Sequence, residues 1–334
     1  MTHFFSCDWG TTSFRLRRVN AVDGTVLSER REASGAKVLF STCPSGDASA
    51  REKVFANFLR EQLLAMAVGD SASLNCVPVF ISGMASSSVG WRELPYARLP
   101  VGLDGSSIQH EEFDLDLDGK SRARIHLISG VRSVTDVMRG EETEICGLFA
   151  GDHHANIAND GIVVLPGTHS KQVRLQNHQI TGFHTYMTGE LFDVLASHSL
   201  LRASVQTNDG GSTLSEPASH ESFVAGVRAA SAAGLARSLF QTRTRTLLQN
   251  ISLSTNRWFL SGLLIGSEVA DLAAREPDAP ILLAATEPQS AAYRLAFETL
   301  GLARRLSVVP PEEMATASVR GHLVMLQRNL NSTK

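Results

Sequence analysis

Two stretches of this chain carry one pattern. Phe5-Ser-Cys-Asp-Trp-Gly-Thr-Thr-Ser-Phe-Arg-Leu16 and Ile162-Val-Val-Leu-Pro-Gly-Thr-His-Ser-Lys-Gln-Val173 each read as an apolar strand, a Gly-Thr turn and a second strand, and they start nearly half of the 334 residues apart. Repetition at that spacing predicts a duplicated unit with a ligand held between the copies. A turn built on glycine lets backbone come close to a ligand and turns amide hydrogens outward, which suits phosphate oxygens. Either turn alone is also an ordinary hairpin. The pairing, together with Asp8 just before the first turn, favours two phosphate-binding turns on one nucleotide.

The length suits two domains of roughly 150 to 170 residues, with the boundary expected near Gly151. Hydrophobic residues make up 43% and charged residues 19%, as in a folded globular protein. The net charge of −3, without a basic block, provides no footprint for nucleic acid or an anionic membrane. Alternation in the acidic run His110 to Asp118 predicts a strand or hairpin with a solvated face. Cys7, Cys43, Cys76 and Cys146 lie far apart, which argues against a disulfide framework or a zinc site and for a reducing cytoplasm. No secretory leader is read at the start, and the apolar run Trp258 to Ala270 is too short to span a bilayer.

Along the first half the expected elements are strands Phe4 to Asp8, Ser13 to Val19 and Thr25 to Arg31. A loop at Ser41 to Gly46 then leads to a helix from about Ser49 to Ala67, whose Val54, Phe55, Phe58, Leu59, Leu63 and Met66 recur at helical spacing. Val77 to Ser82 is a short strand ending at Gly83, the kind of strand end at which an α/β sheet presents ligands. A strand at Ile125 to Ser129 and a helix at Glu141 to Phe149 follow. The second half repeats the scheme with strands Ile162 to Leu165, Lys171 to Leu175 and Ile180 to His184. Helices are expected at Gly189 to Leu201, Glu221 to Leu239, Phe259 to Ala274 and Pro288 to Leu300, with a flexible loop at Thr207 to Ser212 and a strand at Pro280 to Ala285. The last helix, Pro311 to Arg328, is expected to pack back on the first domain.

Three clusters could carry chemistry. An ionised Asp8 at the end of a buried strand is costly unless paired or bound to a cation, and magnesium favours such carboxylate and phosphate oxygens. A turn-capping role is the plainer reading. Gly10, Thr11, Thr12 and Ser13 would add donors. In Gly167-Thr168-His169-Ser170-Lys171 a turn, hydroxyls and a mobile cation lie together. In Met138-Arg139-Gly140-Glu141-Glu142-Thr143-Glu144, an arginine could hold an acceptor and either Glu141 or Glu142 could take a proton from its hydroxyl. An acidic first helical turn that complements the helix dipole would look the same.

Taken in order, Asp-Trp-Gly-Thr-Thr (8 to 12), Gly-Met through Val-Gly-Trp (83 to 91), Met-Arg-Gly-Glu-Glu-Thr (138 to 143), Pro-Gly-Thr-His-Ser-Lys (166 to 171), Met-Thr-Gly-Glu-Leu (187 to 191) and Leu-Ser-Gly-Leu-Leu-Ile-Gly-Ser-Glu (260 to 268) resemble the 2-dehydro-3-deoxygalactonokinase family, within the sugar kinase, actin and heat-shock chaperone superfamily. The resemblance implies an α/β fold of two duplicated ribonuclease H-like (actin-like ATPase) domains, residues 1–150 and 151–334, with an interdomain cleft. It implies ATP and Mg2+ as cofactors, a small sugar acid as substrate, and phosphorylation of 2-dehydro-3-deoxy-D-galactonate at its 6-hydroxyl. On that reading Asp8 holds the metal and shares catalysis with Glu141 and Glu142. Gly10, Thr11, Thr12, Gly167, Thr168, Ser170, Lys171 and Gly262 bind the nucleotide, and Gly83, Met84, Trp91 and Arg139 bind the substrate, with Arg139 on its carboxylate. Ala284-Ala285-Thr286 stands where the superfamily carries a double glycine, so a less close approach to the nucleoside is expected.

The P-loop, G-x-G-x-x-G, G-x-S-x-G and H-E-x-x-H signatures are absent. Six of the eleven histidines fall between His153 and His198, without metal-ligand spacing. The competing readings are a kinase of the same fold acting on another sugar acid or polyol, and a nucleotide-gated binding protein. The sequence leaves room for a homo-oligomer and shows no partner of nucleic-acid or membrane type.

Overall fold

The computed structural model describes residues 2–44, 47–67, 74–206 and 212–332. The loops expected at Ser41 to Gly46 and Thr207 to Ser212 therefore fall partly outside the described residues. Two compact units emerge: Met1–Ala155, His178–Gly182 and Ala315–Lys334 form the first, and Asn156–Asn177 and Phe183–Met314 the second.

In chain order the first unit contains β1 (His3–Trp9), β2 (Phe14–Asn20), β3 (Val26–Glu32), α1 (Ala36–Thr42), α2 (Ala48–Met66), β4 (Val77–Gly83), β5 (Ala97–Arg98), β6 (Val101–Gly102), β7 (His110–Asp116), β8 (Arg122–Ile128), β9 (Val131–Arg132), β10 (Val137–Met138) and α3 (Glu141–Leu148). Its main sheet runs β3-β2-β1-β4-β8-β7. The first three strands form an antiparallel meander, β4 and β8 continue parallel to β1, and β7 returns antiparallel at the edge.

Next come α4 (Ala155–Asn159), β11 (Asp160–Leu165), β12 (Ser170–Gln176), β13 (Gln179–Tyr186), α5 (Thr188–His198), α6 (Pro217–Ala233), α7 (Leu235–Ser238), α8 (Gln241–Gln249), α9 (Leu253–Arg275), β14 (Ile281–Leu283), α10 (Gln289–Thr299), β15 (Leu306–Val308) and α11 (Pro311–Ser332). The second unit's strands lie in the order β15-β14-β11-β12-β13, with β14 and β15 parallel to β11. Both units thus build a hairpin meander and extend its first strand by two parallel ones. That is the duplicated ribonuclease H-like plan, in a mixed α/β protein. The opening residues of β13 belong to the first unit, where Gln179 and Ile180 pair with Gly102 and Val101 of β6.

Burial explains the principal elements. On α2, Phe55, Leu59 and Leu63 recur every four residues and are fully buried against Cys7, Trp9, Leu16 and Ile81, while Asp47 caps the helix by accepting from the Ala50 N–H at 2.9 Å. From residue 315, α11 is part of the first unit and crosses α3 at two glycines. A methyl on Gly147 would lie 1.8 Å from the Ala317 carbonyl oxygen, and one on Gly321 would lie 2.0 Å from that of Thr143. Only hydrogen fits there, so the two backbones touch.

Several boundaries differ from the sequence expectations. The helix expected at Glu221 to Leu239 begins at Pro217 and breaks at Gly234, whose φ of 79° leaves the helical region. The helix expected from Phe259 begins at Leu253, because Ser252 accepts the Thr255 N–H and sets the start six residues earlier. Helices α1 and α8 and strand β15 were not expected.

Candidate functional site

In the first unit, β1 and β4 run parallel with Asp8 beside Ser82 and Trp9 beside Gly83, so both strands finish at one level. Gly83 has a φ of 91°, and a side chain on it would meet the Trp9 carbonyl oxygen at 2.7 Å. Gly140, with a φ of 109°, opens α3 against it: its own added carbon would lie 3.4 Å from the Gly83 Cα. Two glycines in a backbone region that other residues avoid thus bring the start of α3 onto the end of β4. This close approach gathers Asp8, Gly83, Met84, Arg139 and Glu141 at the carboxyl ends of parallel strands, where α/β sheets present ligands.

Arg139 is held on several sides. Its guanidinium donates to the Ser86 hydroxyl and to the Leu94 carbonyl, and lies 4.2 Å above the Tyr96 ring. Ser86 is fixed in turn by donating to the Ile128 carbonyl at 2.6 Å, at the end of β8. The buried Nε of Arg139 has no hydrogen-bond partner among the described residues. The Glu141 carboxylate accepts the Arg139 backbone N–H at 2.9 Å.

The carboxylates here oppose one another. Burial raises the pKa of Asp8, Glu141 raises it further, and Arg15 and Arg17 pull it down. Glu142 is fully buried, and both its oxygens take the Gly140 N–H at 2.9 and 2.8 Å. Burial and then the Glu141 charge push it up to about 8. Glu144 also rises to about 8, from burial first and then from the charges of Asp8, Glu141 and Glu142. A divalent cation would relieve this repulsion.

The first Gly-Thr turn is tight, its Gly10 N–H donating to the Ser13 carbonyl at 2.9 Å. Its carbonyls at Gly10 and Thr11 take the N–H groups of Ala36 and Lys37 at the start of α1. Thr11, Thr12 and Ser13 stand exposed at its tip.

In the second unit a cavity of about 300 Å³ opens beside the other turn, lined by Gly167, Thr168, Thr188, Gly189, Arg257 and Tyr293 among others. Gly189 makes the junction possible, since a side chain there would lie 2.7 Å from the Gly167 carbonyl oxygen. The first turn of α5 therefore rests on the Gly-Thr turn, and the Glu190 N–H donates to the Thr168 carbonyl at 3.1 Å.

Beneath this floor lies Glu268, 1% exposed. Its carboxylate accepts from the hydroxyls of Ser170 and Thr188 at 2.6 Å each and of Tyr293 at 2.7 Å. Burial raises its pKa, although those hydroxyls pull it down. One carboxylate thereby ties β12, α5 and α10 to α9. Sequence reasoning did not single it out, although it ends the Leu260 to Glu268 motif. Ser86 and Tyr96, which hold Arg139, were missed as well, since nothing local marks them.

Four of the residues read as ligand contacts sit elsewhere. Trp91 is 1% exposed, edge-on to Trp9 and Phe113, so it supports the strand ends from within the core. Gly262 is buried where α9 crosses α6, and a methyl on it would lie 2.1 Å from the Phe223 carbonyl oxygen. The Ser170 hydroxyl is committed to Glu268, and Lys171 is buried with Nζ donating to the His169 carbonyl at 2.9 Å. Ala284 and Ala285 are buried just past β14, with Ala285 in the core of the second unit.

The 2-keto-3-deoxy-galactonokinase family model matches residues 8–320. A protein of Rhizobium meliloti (strain 1021) that bears the name 2-dehydro-3-deoxygalactonokinase is 35% identical over 314 residues, covering 90% of each chain. The 2-dehydro-3-deoxygalactonokinase of Escherichia coli (strain K12) is 31% identical over 306 residues, covering 89% of this chain and 90% of that one. A crystal structure from Sinorhizobium meliloti described by the same activity has a TM-score of 0.77 at 31% identity, covering 97% of this chain and 99% of the other.

Proposed function

The chain belongs to the 2-keto-3-deoxy-galactonokinase family, and from that premise we propose that it transfers the terminal phosphoryl group of ATP to the 6-hydroxyl of 2-dehydro-3-deoxy-D-galactonate. It is a phosphotransferase of carbohydrate metabolism that acts on a sugar acid. In the proposed reaction the hydroxyl loses its proton, its oxygen forms the new bond to phosphorus, and ADP leaves with the electrons of the broken P–O bond.

The observation that carries this reading is the gathering of Arg139, Glu141 and Asp8 at the strand ends of the first unit. The substrate carboxylate pairs with the Arg139 guanidinium, whose orientation Ser86 and Tyr96 hold in advance. Glu141 accepts the proton of the attacking hydroxyl, since Glu142 is buried with both oxygens on the Gly140 N–H. A magnesium ion suits the donor set at Asp8 and, when bound with the nucleotide, would offset phosphate charge. Thr11 and Thr12, at the tip of the turn that Gly10 closes, receive phosphate oxygens in the first unit, and Gly167 and Thr168 receive them in the second, next to the cavity that takes the nucleoside. The first unit thus serves the sugar acid and carries one phosphate turn, and the second unit serves the nucleotide. Four free cysteines and the use of ATP suit a cytoplasmic enzyme, and among the described residues no helix is long and apolar enough to cross a membrane.

The test is ADP release with a panel containing the galactonate-derived acid, its C4 epimer, a neutral analogue lacking the carboxylate and a polyol, with the product phosphoester located by phosphorus NMR. A 6-phosphoester formed fastest from the galactonate-derived acid is the expected result. Faster turnover of the neutral analogue would overturn the carboxylate reading.

A further inference from the structure

The edge hairpin of the first unit brings together three side chains that the kinase reading leaves unused. Along β7 the alternation of a strand sets His110 and Glu112 on one face, and the antiparallel register puts Glu112 directly opposite His126 on β8. One Glu112 oxygen, Oε1, lies 3.0 Å from His110 Nε2 and 3.3 Å from His126 Nδ1, and the three atoms fall within 4.8 Å of one another. A tetrahedral ion with bonds of about 2.0 Å separates its ligand atoms by about 3.3 Å, and both contacts to Oε1 already stand near that spacing.

His126 provides an independent observation. It is 7% exposed, and its buried Nδ1 makes no hydrogen bond among the described residues although it faces the carboxylate. Its ring is fixed by stacking on Phe80 at 4.4 Å with an interplanar angle of 5°. The nearby cation does not block the site. Arg124 is anchored to Asp114 at 2.7 Å and approaches only the other oxygen, Oε2, of Glu112 at 3.8 Å.

We propose that His110, Glu112 and His126 bind one divalent transition-metal ion of the zinc class, with the fourth position open to solvent. Two imidazoles and one carboxylate suit zinc rather than magnesium or calcium, which take oxygen-rich sets. The ion joins the edge strand β7 to β8 through side chains as well as through the backbone ladder. Sequence spacing concealed the site because the third ligand arrives through strand pairing.

The test uses the full chain, stripped of metal by a chelator and dialysed, and titrated with Zn2+ by calorimetry and with Co2+ by visible absorption. One Zn2+ per chain, a melting temperature that rises with Zn2+, and an intense tetrahedral Co2+ spectrum are expected. His110→Ala and Glu112→Gln should each weaken binding on the order of 100-fold, with phosphotransfer in magnesium unchanged. His126→Phe tests the buried ligand, and the two exposed variants keep the test decisive if it fails to fold. Equal Zn2+ binding by the wild type and the His110→Ala/Glu112→Gln double variant would overturn the proposal, as would a Co2+ spectrum identical to that of the aqueous ion. In that case the cluster is only a His–Glu ion pair.

Discussion

Replacing Glu141 and Glu142 one at a time by glutamine separates proton transfer from architecture. Glu141→Gln should lower kcat roughly 100-fold or more, about 2.7 kcal/mol of barrier, with an unchanged melting temperature. Glu142→Gln should behave in the opposite way. Burial and the Glu141 charge raise the Glu142 carboxyl from an ordinary value of 4.5 to about 8. An acid whose folded pKa lies above its unfolded value contributes stability that is fully present below pH 4.5 and is lost as pH rises towards 8. From about pH 5 to about pH 8 that loss is close to three pH units at about 1.4 kcal/mol each, or about 4 kcal/mol. Glutamine carries no charge to bury, and its amide oxygen can still accept the Gly140 N–H. The variant should therefore gain on the wild type across that window while its kcat stays within a few-fold. Urea unfolding of both proteins at pH 5, 6, 7 and 8, alongside initial rates at saturating ATP and sugar acid, measures the two effects. A stability difference that does not change with pH, or a kcat lower in Glu142→Gln than in Glu141→Gln, would refute the reasoning.

Arg139→Ala should raise KM for the sugar acid roughly 10- to 100-fold, the usual worth of a charge-assisted hydrogen bond, while KM for ATP moves little; steady-state kinetics on both substrates checks this. Asp8→Asn should leave a folded protein by circular dichroism whose turnover collapses and whose remaining activity needs far more magnesium; normal rates at ordinary magnesium would dismiss the metal role. His322 is fully buried, bonded through Nδ1 to the Ser6 hydroxyl at 2.7 Å, and held down to about 3, chiefly by burial. Because the unfolded chain binds the proton more readily, that contribution is complete above pH 6.5 and is lost as pH falls towards 3, by about 1.4 kcal/mol per pH unit. His322→Asn should flatten the acid limb of the stability profile measured by urea unfolding.

What the sequence made legible follows from how local each signal is. The two strand-turn-strand units and the Phe55, Leu59 and Leu63 stripe of α2 declare themselves within a dozen residues. By contrast, α8 buries only Thr242 and so carries no apolar stripe to read, and β15 is three residues long. At the site, Asp8, Arg139 and Glu141 stand out because Asp8 precedes one of the paired glycine turns and the other two share one short run with Gly140. The residues that hold them do not: Ser86 reaches Arg139 only through the fold, and Glu268 meets Ser170 across 98 positions. Trp91 and Gly262 misled for a related reason. A motif marks a residue as constrained without saying whether a ligand or the core constrains it, and both are spent on packing.

The glycine crossing of α3 and α11 has a consequence for biosynthesis. Glu141 opens α3, yet the backbone against which α3 is seated, at Ala317 and Gly321, is translated after every residue of the second unit. On the ribosome the first unit, although begun first, cannot complete its packing until the whole of the second has been made. A nascent chain holding every residue assigned to phosphate and sugar acid would still lack the support for α3 and for the Glu141 that opens it. The seating of α3 thus waits on the translation of the second unit.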